Sequence, residues 1–388
     1  MRRFSAAAAA FTLIACTSGT PGNSQDPAPV GTTPAPVAQD GRPFTVTRVA
    51  DFDSPWAMDF LPDGRMLITE KAGTLYLVSA DGQQRQAVAG IPTVDSAGQG
   101  GLMDVVLHPD FAQNRLVYFS FSEAGEGGKG VVLARGTLET GDSPRLADVE
   151  RLFQATPYVP GDGHYSGRIA FSPDGQHLFF TNGDRQKLEP AQDKTGTLGK
   201  VLRLTPDGDP APGNPLASQG FHPAVWSYGH RNLLGIAFDD AGNLWEQEMG
   251  PRGGDEVNLI RPGQNYGWPV VSNGDHYDGR PIPDHGTMPD RDFVPPQASW
   301  NPVISPAGLM IYSGQLWPQW DGDIFLGGLS SQSLVRVDVN GTSASKGDQW
   351  DMGTRIRDVA EGPDGAIWLL EDGGRGANGA LMKLTPPS

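Results

Sequence analysis

The sequence predicts an all-β protein, a six-bladed β-propeller of four-stranded antiparallel blades. Three observations carry this. An apolar pair, a Pro/Asp/Gly turn and a second apolar strand recur six times along the chain. Helical periodicity is nearly absent, and 52 glycines with 34 prolines oppose long helices. The repeats divide the folded length into units of roughly sixty residues, the size of a four-stranded blade with its loops.

The copies follow in order. The first runs from Met58 to Ile68 through Pro62, Asp63 and Gly64, and the second from Val106 to Phe119 through Pro109 and Asp110. The third spans Ile169 to Phe180, the fourth Ile236 to Trp245, a looser fifth Met310 to Leu326, and the sixth Val359 to Trp368. Each reads as two short strands around a tight turn. Asp-Gly supplies the positive φ that hairpin turns need, and the flanking aliphatic and aromatic residues suit a half-buried pleated surface. Radial stacking of such units protects strand edges without disulfides. The largest insertion lies between the fourth and fifth copies, a polar loop over 273–296.

Ahead of the repeats, residues 1–15 read as a bacterial lipoprotein signal peptide. Arg2 and Arg3 precede an apolar run too short to span a bilayer, and Leu13, Ile14 and Ala15 lead into Cys16. Cleavage there makes Cys16 a lipidated N-terminus. The protein is then expected to be exported and lipid-anchored to a bacterial membrane, with Thr17 favouring the periplasmic side of the outer membrane. Residues 16–41 lack large apolar side chains and read as a disordered tether rich in Pro, Ser and Thr. Residues 42–388 form the propeller. Cys16 is the only cysteine, which excludes disulfides and thiolate metal sites from the folded part. A formal charge of −16 repels phosphate backbones, so no nucleic-acid partner is expected.

A propeller by itself specifies no chemistry. Walker and Rossmann glycine motifs are missing, as is the Gly-x-Ser-x-Gly elbow of serine hydrolases. Polar residues cluster instead at two places, Gly163–Arg168 and Trp226–Glu256. Among seven histidines, His108 and His177 fall at repeat turns and read as structural, while His276 and His285 fall in the polar insertion and read as solvated. His164 sits among small residues, and the third copy delivers Asp184 to the end of its second strand. That pair suits a proton acceptor, or equally a histidine satisfied by hydrogen bonding. Gln99 within Gly98–Gly101 points into the channel or belongs to a plain glycine loop. Arg231, beside Asn232, binds an anionic oxygen or makes a structural ion pair. Gly250 and Pro251 offer turn carbonyls with Glu256 following, a weak calcium signature. Arg355 and Arg357 share a strand face, forming an anion clamp or a solvated pair.

Taken together, the segments Gly98–Val105 with His108–Phe111, His164–Arg168, Gly196–Arg203, Ser227–Asn232, Gly250–Pro251, Asp255–Asn258, Asn265–Pro269 and Arg355–Val359 resemble the soluble PQQ-dependent aldose sugar dehydrogenases, the glucose/sorbosone dehydrogenase family. The resemblance spans about Phe44 to Thr385. It implies a six-bladed propeller that oxidises aldose sugars to lactones, with PQQ and Ca2+ as cofactors and electrons passing to an external quinone or cytochrome. By motif, His164 is implied as general base, Asp184 as its orienting acid, and Arg231 as the cation on the quinone oxygen. Gln99, Asn232, Arg355 and Arg357 are implied to hold PQQ. Gly250 and Pro251 are implied to ligate the catalytic calcium, and Glu256 and Tyr266 a second, structural one.

Two positions depart from the pattern. Gly163 stands where glucose-oxidising members carry an acid, and Leu329–Leu334 lacks an expected lysine, for which Gln332 or the two arginines are candidate substitutes. Competing readings are a non-catalytic carbohydrate- or protein-binding propeller and a calcium-dependent lactonase.

Overall fold

The computed structural model describes residues 41–373 and 378–387; the proposed leader, Cys16 and nearly all of the tether lie outside the described residues. Six antiparallel sheets of four strands account for the repeats. In the first blade the strands are Pro55–Phe60, Met66–Glu70, Thr74–Val78 and Arg85–Val88. The innermost strands of the next four are Leu102–Leu107, Ser166–Phe171, Leu233–Phe238 and Pro306–Ile311. The sixth blade places Ile356–Glu361 innermost, then Ile367–Glu371 and Asn378–Thr385. Its outermost strand comes from the other end of the chain, as Thr45–Asp53 pairs with Asn378–Thr385 from Thr45 opposite Thr385 to Asp53 opposite Asn378.

Each recurring pattern in the sequence is the hairpin of a blade's first two strands. The innermost strands touch in sequence around the ring, and the sixth touches the first, so the wheel is closed. Closing the ring shields the innermost strand edges at the hub and leaves only each blade's short outer edge. Between blades the apolar faces interlock, with Phe119, Phe180, Leu178, Trp245 and Phe325 fully buried.

All six innermost strands break register with their neighbour near their first residues, at Pro55/Ala57, Leu102/Val105, Ser166/Ile169, Leu233/Gly235, Ala307/Met310 and Ile356/Asp358. A bulge bends the strand and re-aims side chains. The candidate residues Gln99, His164, Arg231, Asn232 and Arg355 all sit just before such a bulge, at one end of the hub.

Deeper in the hub, Arg168 bridges Asp104 at 3.0 Å and Asp358 at 2.9 Å, tying the second, third and sixth blades together. Its guanidinium also lies 4.2 Å from the Trp56 ring centroid. At the far end the hub opens into a cavity of about 370 Å³ whose lining includes Asp59, Asp104, Arg168 and Glu361.

The polar insertion lies inside the fourth blade, between strands Asp255–Ile260 and Ala298–Trp300. A short pairing of Arg252–Gly253 with Gly274–Asp275 pins its start to the turn after Gly250.

Candidate active site

His164 is held from two directions. Its backbone N–H donates to Gln99 Oε1 at 2.6 Å, and its Nδ1 meets Asp184 Oδ1 at 2.7 Å. The backbone at His164 takes the left-handed conformation, φ 48°, a strain that non-glycine residues accept mainly where the surroundings enforce it. Asp184 is fully buried, and its second oxygen accepts the Trp268 indole N–H at 2.8 Å. Burial works to raise the Asp184 pKa, but the His164 hydrogen bond, the nearby Arg231 and the Trp268 bond together hold it below the usual carboxylate value. An ionised Asp184 fixes the proton on Nδ1 and leaves Nε2 as an acceptor. For His164 itself, burial lowers the pKa and outweighs the raising effect of Asp184, with Arg231 lowering it further. The imidazole is therefore neutral near pH 7, the state a general base requires.

Arg231 joins this pair to the turn at Gly250. Its carbonyl accepts the Asp184 N–H at 2.8 Å, while its Nη1 donates to Gly250 O at 2.6 Å and Met249 O at 2.9 Å. Its Nη2 donates to the Tyr277 hydroxyl at 3.1 Å, and the guanidinium lies 5.2 Å from the Trp268 ring centroid. Asn232, also buried, accepts the Ser166 hydroxyl at 3.3 Å. Gly250 allows no side chain, since a Cβ there would meet Gly253 O and Gly254 O at 2.3 Å each. Its N–H donates to Asp255 Oδ1 at 2.8 Å, and Asp255 Oδ2 accepts the N–H groups of Ile304 and Ser305 at 2.7 Å. The turn that presents the Gly250 carbonyl is thus fixed by a buried carboxylate.

Arg355 and Arg357 share one carboxylate, each donating to Asp372 Oδ2. Arg355 Nη1 also reaches Leu329 O at 3.2 Å, within the segment lacking the expected lysine. Neither arginine bonds directly to His164 or Arg231. Lys71, from the first blade, donates to Gly98 O at 2.6 Å, beside Gln99.

A second polar cluster lies behind Arg231. Glu248 Oε2 accepts the Arg231 N–H at 2.5 Å, and the Asn258 amide faces Glu246 at 3.2 Å, Glu256 at 3.3 Å and Glu248 at 3.5 Å. Ligand atoms of His230, Glu246 and Glu248 lie within 4.8 Å of one another, all buried. Burial pushes the carboxyls of Glu246 and Glu256 up, and repulsion from Glu248 adds to this. Tyr266 stacks on His230 at 4.6 Å, but its hydroxyl is already bonded to Leu259 O at 2.7 Å. One expectation is corrected here: His285 is not solvated. Its side chain is 4% exposed, and Nε2 lies 3.3 Å from Glu256 Oε1, because the insertion folds back onto its own blade.

The structure brings His164, Asp184, Arg231, Gln99, Asn232 and Gly250 into one network and leaves Arg355 with Arg357 as a separate cationic pair. Sequence reasoning gave no role to Trp268, Tyr277, Lys71 or Glu246. Trp268 stood inside a motif already singled out. Tyr277, 73% exposed, was marked only by being an aromatic in a polar loop.

A propeller whose hub presents a buried, neutral histidine paired with an aspartate and linked to an arginine has the groups needed to accept a proton from a polar ligand. The chain belongs to the Glucose / Sorbosone dehydrogenase family, whose model matches residues 52–383. Aldose sugar dehydrogenase YliI of Escherichia coli is 37% identical over 340 residues, covering 86% of this chain and 90% of that protein. A crystal structure of a glucose dehydrogenase superposes with a TM-score of 0.83 at 38% identity, covering 89% of this chain and 100% of that one. The PQQ-bound aldose sugar dehydrogenase of Streptomyces coelicolor gives 0.71 at 30% identity, covering 88% of this chain and 98% of that one. The chain is an oxidoreductase of the sugar dehydrogenase type.

Proposed function

We propose that this protein oxidises aldoses at the anomeric carbon to lactones, using PQQ and calcium, and delivers electrons to an external quinone or cytochrome. The observation that carries the reading is the buried His164–Asp184 pair joined through Arg231 to the Gly250 turn. His164 Nε2 takes the anomeric hydroxyl proton, and Asp184 stabilises the imidazolium that results. Arg231 places a fixed positive charge where oxygen gains electron density, a preorganised contribution needing no rearrangement.

PQQ, when bound, supplies an ortho-quinone that accepts the two electrons lost by the sugar. The donor set fits such an anion: Arg231 and Arg355 precede register breaks at the same end of the hub, and among the described residues their Nε groups are buried without partners. Gln99 and Asn232 would hold the cofactor beside His164, and Arg355 with Arg357 would meet its carboxylates. Arg355, which reaches Leu329, offers a substitute for the missing lysine. The Gly250 and Pro251 carbonyls would ligate the catalytic calcium; a carbonyl oxygen has two lone pairs, so the Arg231 bond does not exclude this. For a second cation, Glu256 with Tyr266 would serve: three buried carboxylates converge on the Asn258 amide, and Glu246 Oε1 has no partner among the described residues. Lipid attachment at Cys16 would tether the enzyme to the periplasmic side of the outer membrane.

The test adds PQQ and calcium to metal-free protein, then an aldose and an electron-accepting dye. Dye reduction that disappears in His164→Ala supports the dehydrogenase. Lactone opening without PQQ, or silence in both assays, overturns it.

A further inference from the structure

We infer that Gln186 is a sugar-positioning residue, its side-chain amide binding a hydroxyl of the aldose next to the one that His164 deprotonates. This rests on the dehydrogenase reading and adds a contact to the same site. The backbone anchors Gln186 on the catalytic pair: its N–H donates at 2.8 Å to Asp184 Oδ1, the oxygen that also holds His164 Nδ1. Arg185, Gln186 and Leu188 all have a positive φ, at 54°, 59° and 66°. Three such non-glycine residues within four positions are costly, and strain of this kind is retained where the surroundings enforce a particular geometry.

The strained turn folds the Gln186 side chain back over Gly163. An added Cβ at Gly163 would meet Gln186 Cδ at 2.4 Å, Oε1 at 2.5 Å and Nε2 at 2.7 Å. Gly163 does not occupy the left-handed region, so its value is the space it leaves for this amide. Beneath, Arg185 locks the two segments together, donating to Gly163 O and, at 2.6 Å, to Gly161 O, with its guanidinium 3.6 Å from the Tyr165 ring centroid. Gln186 itself is exposed, and its amide makes no hydrogen bond to any described residue. An exposed amide with donor and acceptor free among the described residues, lying over the residue that precedes the buried base, matches the needs of a sugar hydroxyl.

The experiment measures glucose oxidation by the reconstituted protein, together with PQQ affinity by equilibrium titration. In Gln186→Ala the KM rises roughly tenfold, while kcat, its pH profile and PQQ affinity stay within twofold. Gln186→Asn recovers part of the loss. Gly163→Ala displaces the amide, whose free end can swing aside, so it raises KM similarly, and the double variant adds nothing further. An unchanged KM in Gln186→Ala, or additive effects in the double variant, overturns the assignment while leaving the dehydrogenase reading intact. A wild-type protein that binds PQQ yet oxidises no aldose overturns both.

Discussion

Trp268 donates its indole N–H to Asp184 Oδ2 at 2.8 Å, so the carboxylate that orients His164 is itself oriented from the fourth blade. The same ring lies 5.2 Å from the Arg231 guanidinium. One side chain therefore braces both charged partners of the histidine. Trp268→Phe keeps a ring under Arg231 and removes only the donor. It should lower kcat roughly tenfold, equivalent to about 1.4 kcal/mol of barrier, with KM for the sugar little changed. Steady-state kinetics at saturating PQQ checks this.

The acid limb of kcat/KM should fall below the usual histidine range. Burial lowers the His164 pKa, and the base must be neutral, so activity rises with pH through that value and levels off before pH 7. Asp184 opposes the lowering. Asp184→Asn should shift the acid limb further down while cutting kcat by a factor on the order of a thousand, because the wrong tautomer is then stabilised. A pH–rate profile of both proteins measures the two effects.

Calcium should stabilise the fold through the acidic cluster. Glu246 and Glu256 carry raised carboxyl pKa values, led by burial. In the folded state they hold protons that the unfolded chain releases above its ordinary value of 4.5. Metal-free protein should thus lose stability as pH rises from there toward neutrality, and calcium should reverse the loss. At a hundredfold excess over Kd, the gain is about 2.7 kcal/mol. Thermal unfolding with and without chelator tests this, and Glu246→Gln should flatten the pH dependence.

Arg168→Leu removes the cation between Asp104 and Asp358 and leaves two buried carboxylates unpaired. The expected cost is about 3–5 kcal/mol. Urea unfolding should show a lower midpoint, with secondary structure retained below it.

The wheel was readable because each blade repeats one local hairpin, and local turns carry their own residue code in Pro, Asp and Gly. Thr45–Asp53 was not, since its partner Asn378–Thr385 lies at the other end of the chain and no local pattern announces the pairing. The site divides in the same way. His164, Asp184 and Arg231 stand beside strand starts and ends that the repeats already located. Trp268 and Gln186 act through contacts across blades or across a strained turn, and Glu246 looked like any strand residue until the fold buried it beside Glu248. The insertion misled for the opposite reason: its polarity suggests solvent, yet His285 folds inward against Glu256. The glycine at 163 reads as a missing acid, and the Gln186 amide lies against the space that a Cβ there would fill.

The most direct test of the account is a single-turnover reaction of the PQQ- and calcium-loaded protein with an aldose carrying deuterium at the anomeric carbon. The account predicts reduction of the bound quinone at a rate slowed by the deuterium, and no reduction in His164→Ala. Sugar that binds without reducing the quinone, or reduction that survives the loss of His164, would contradict it.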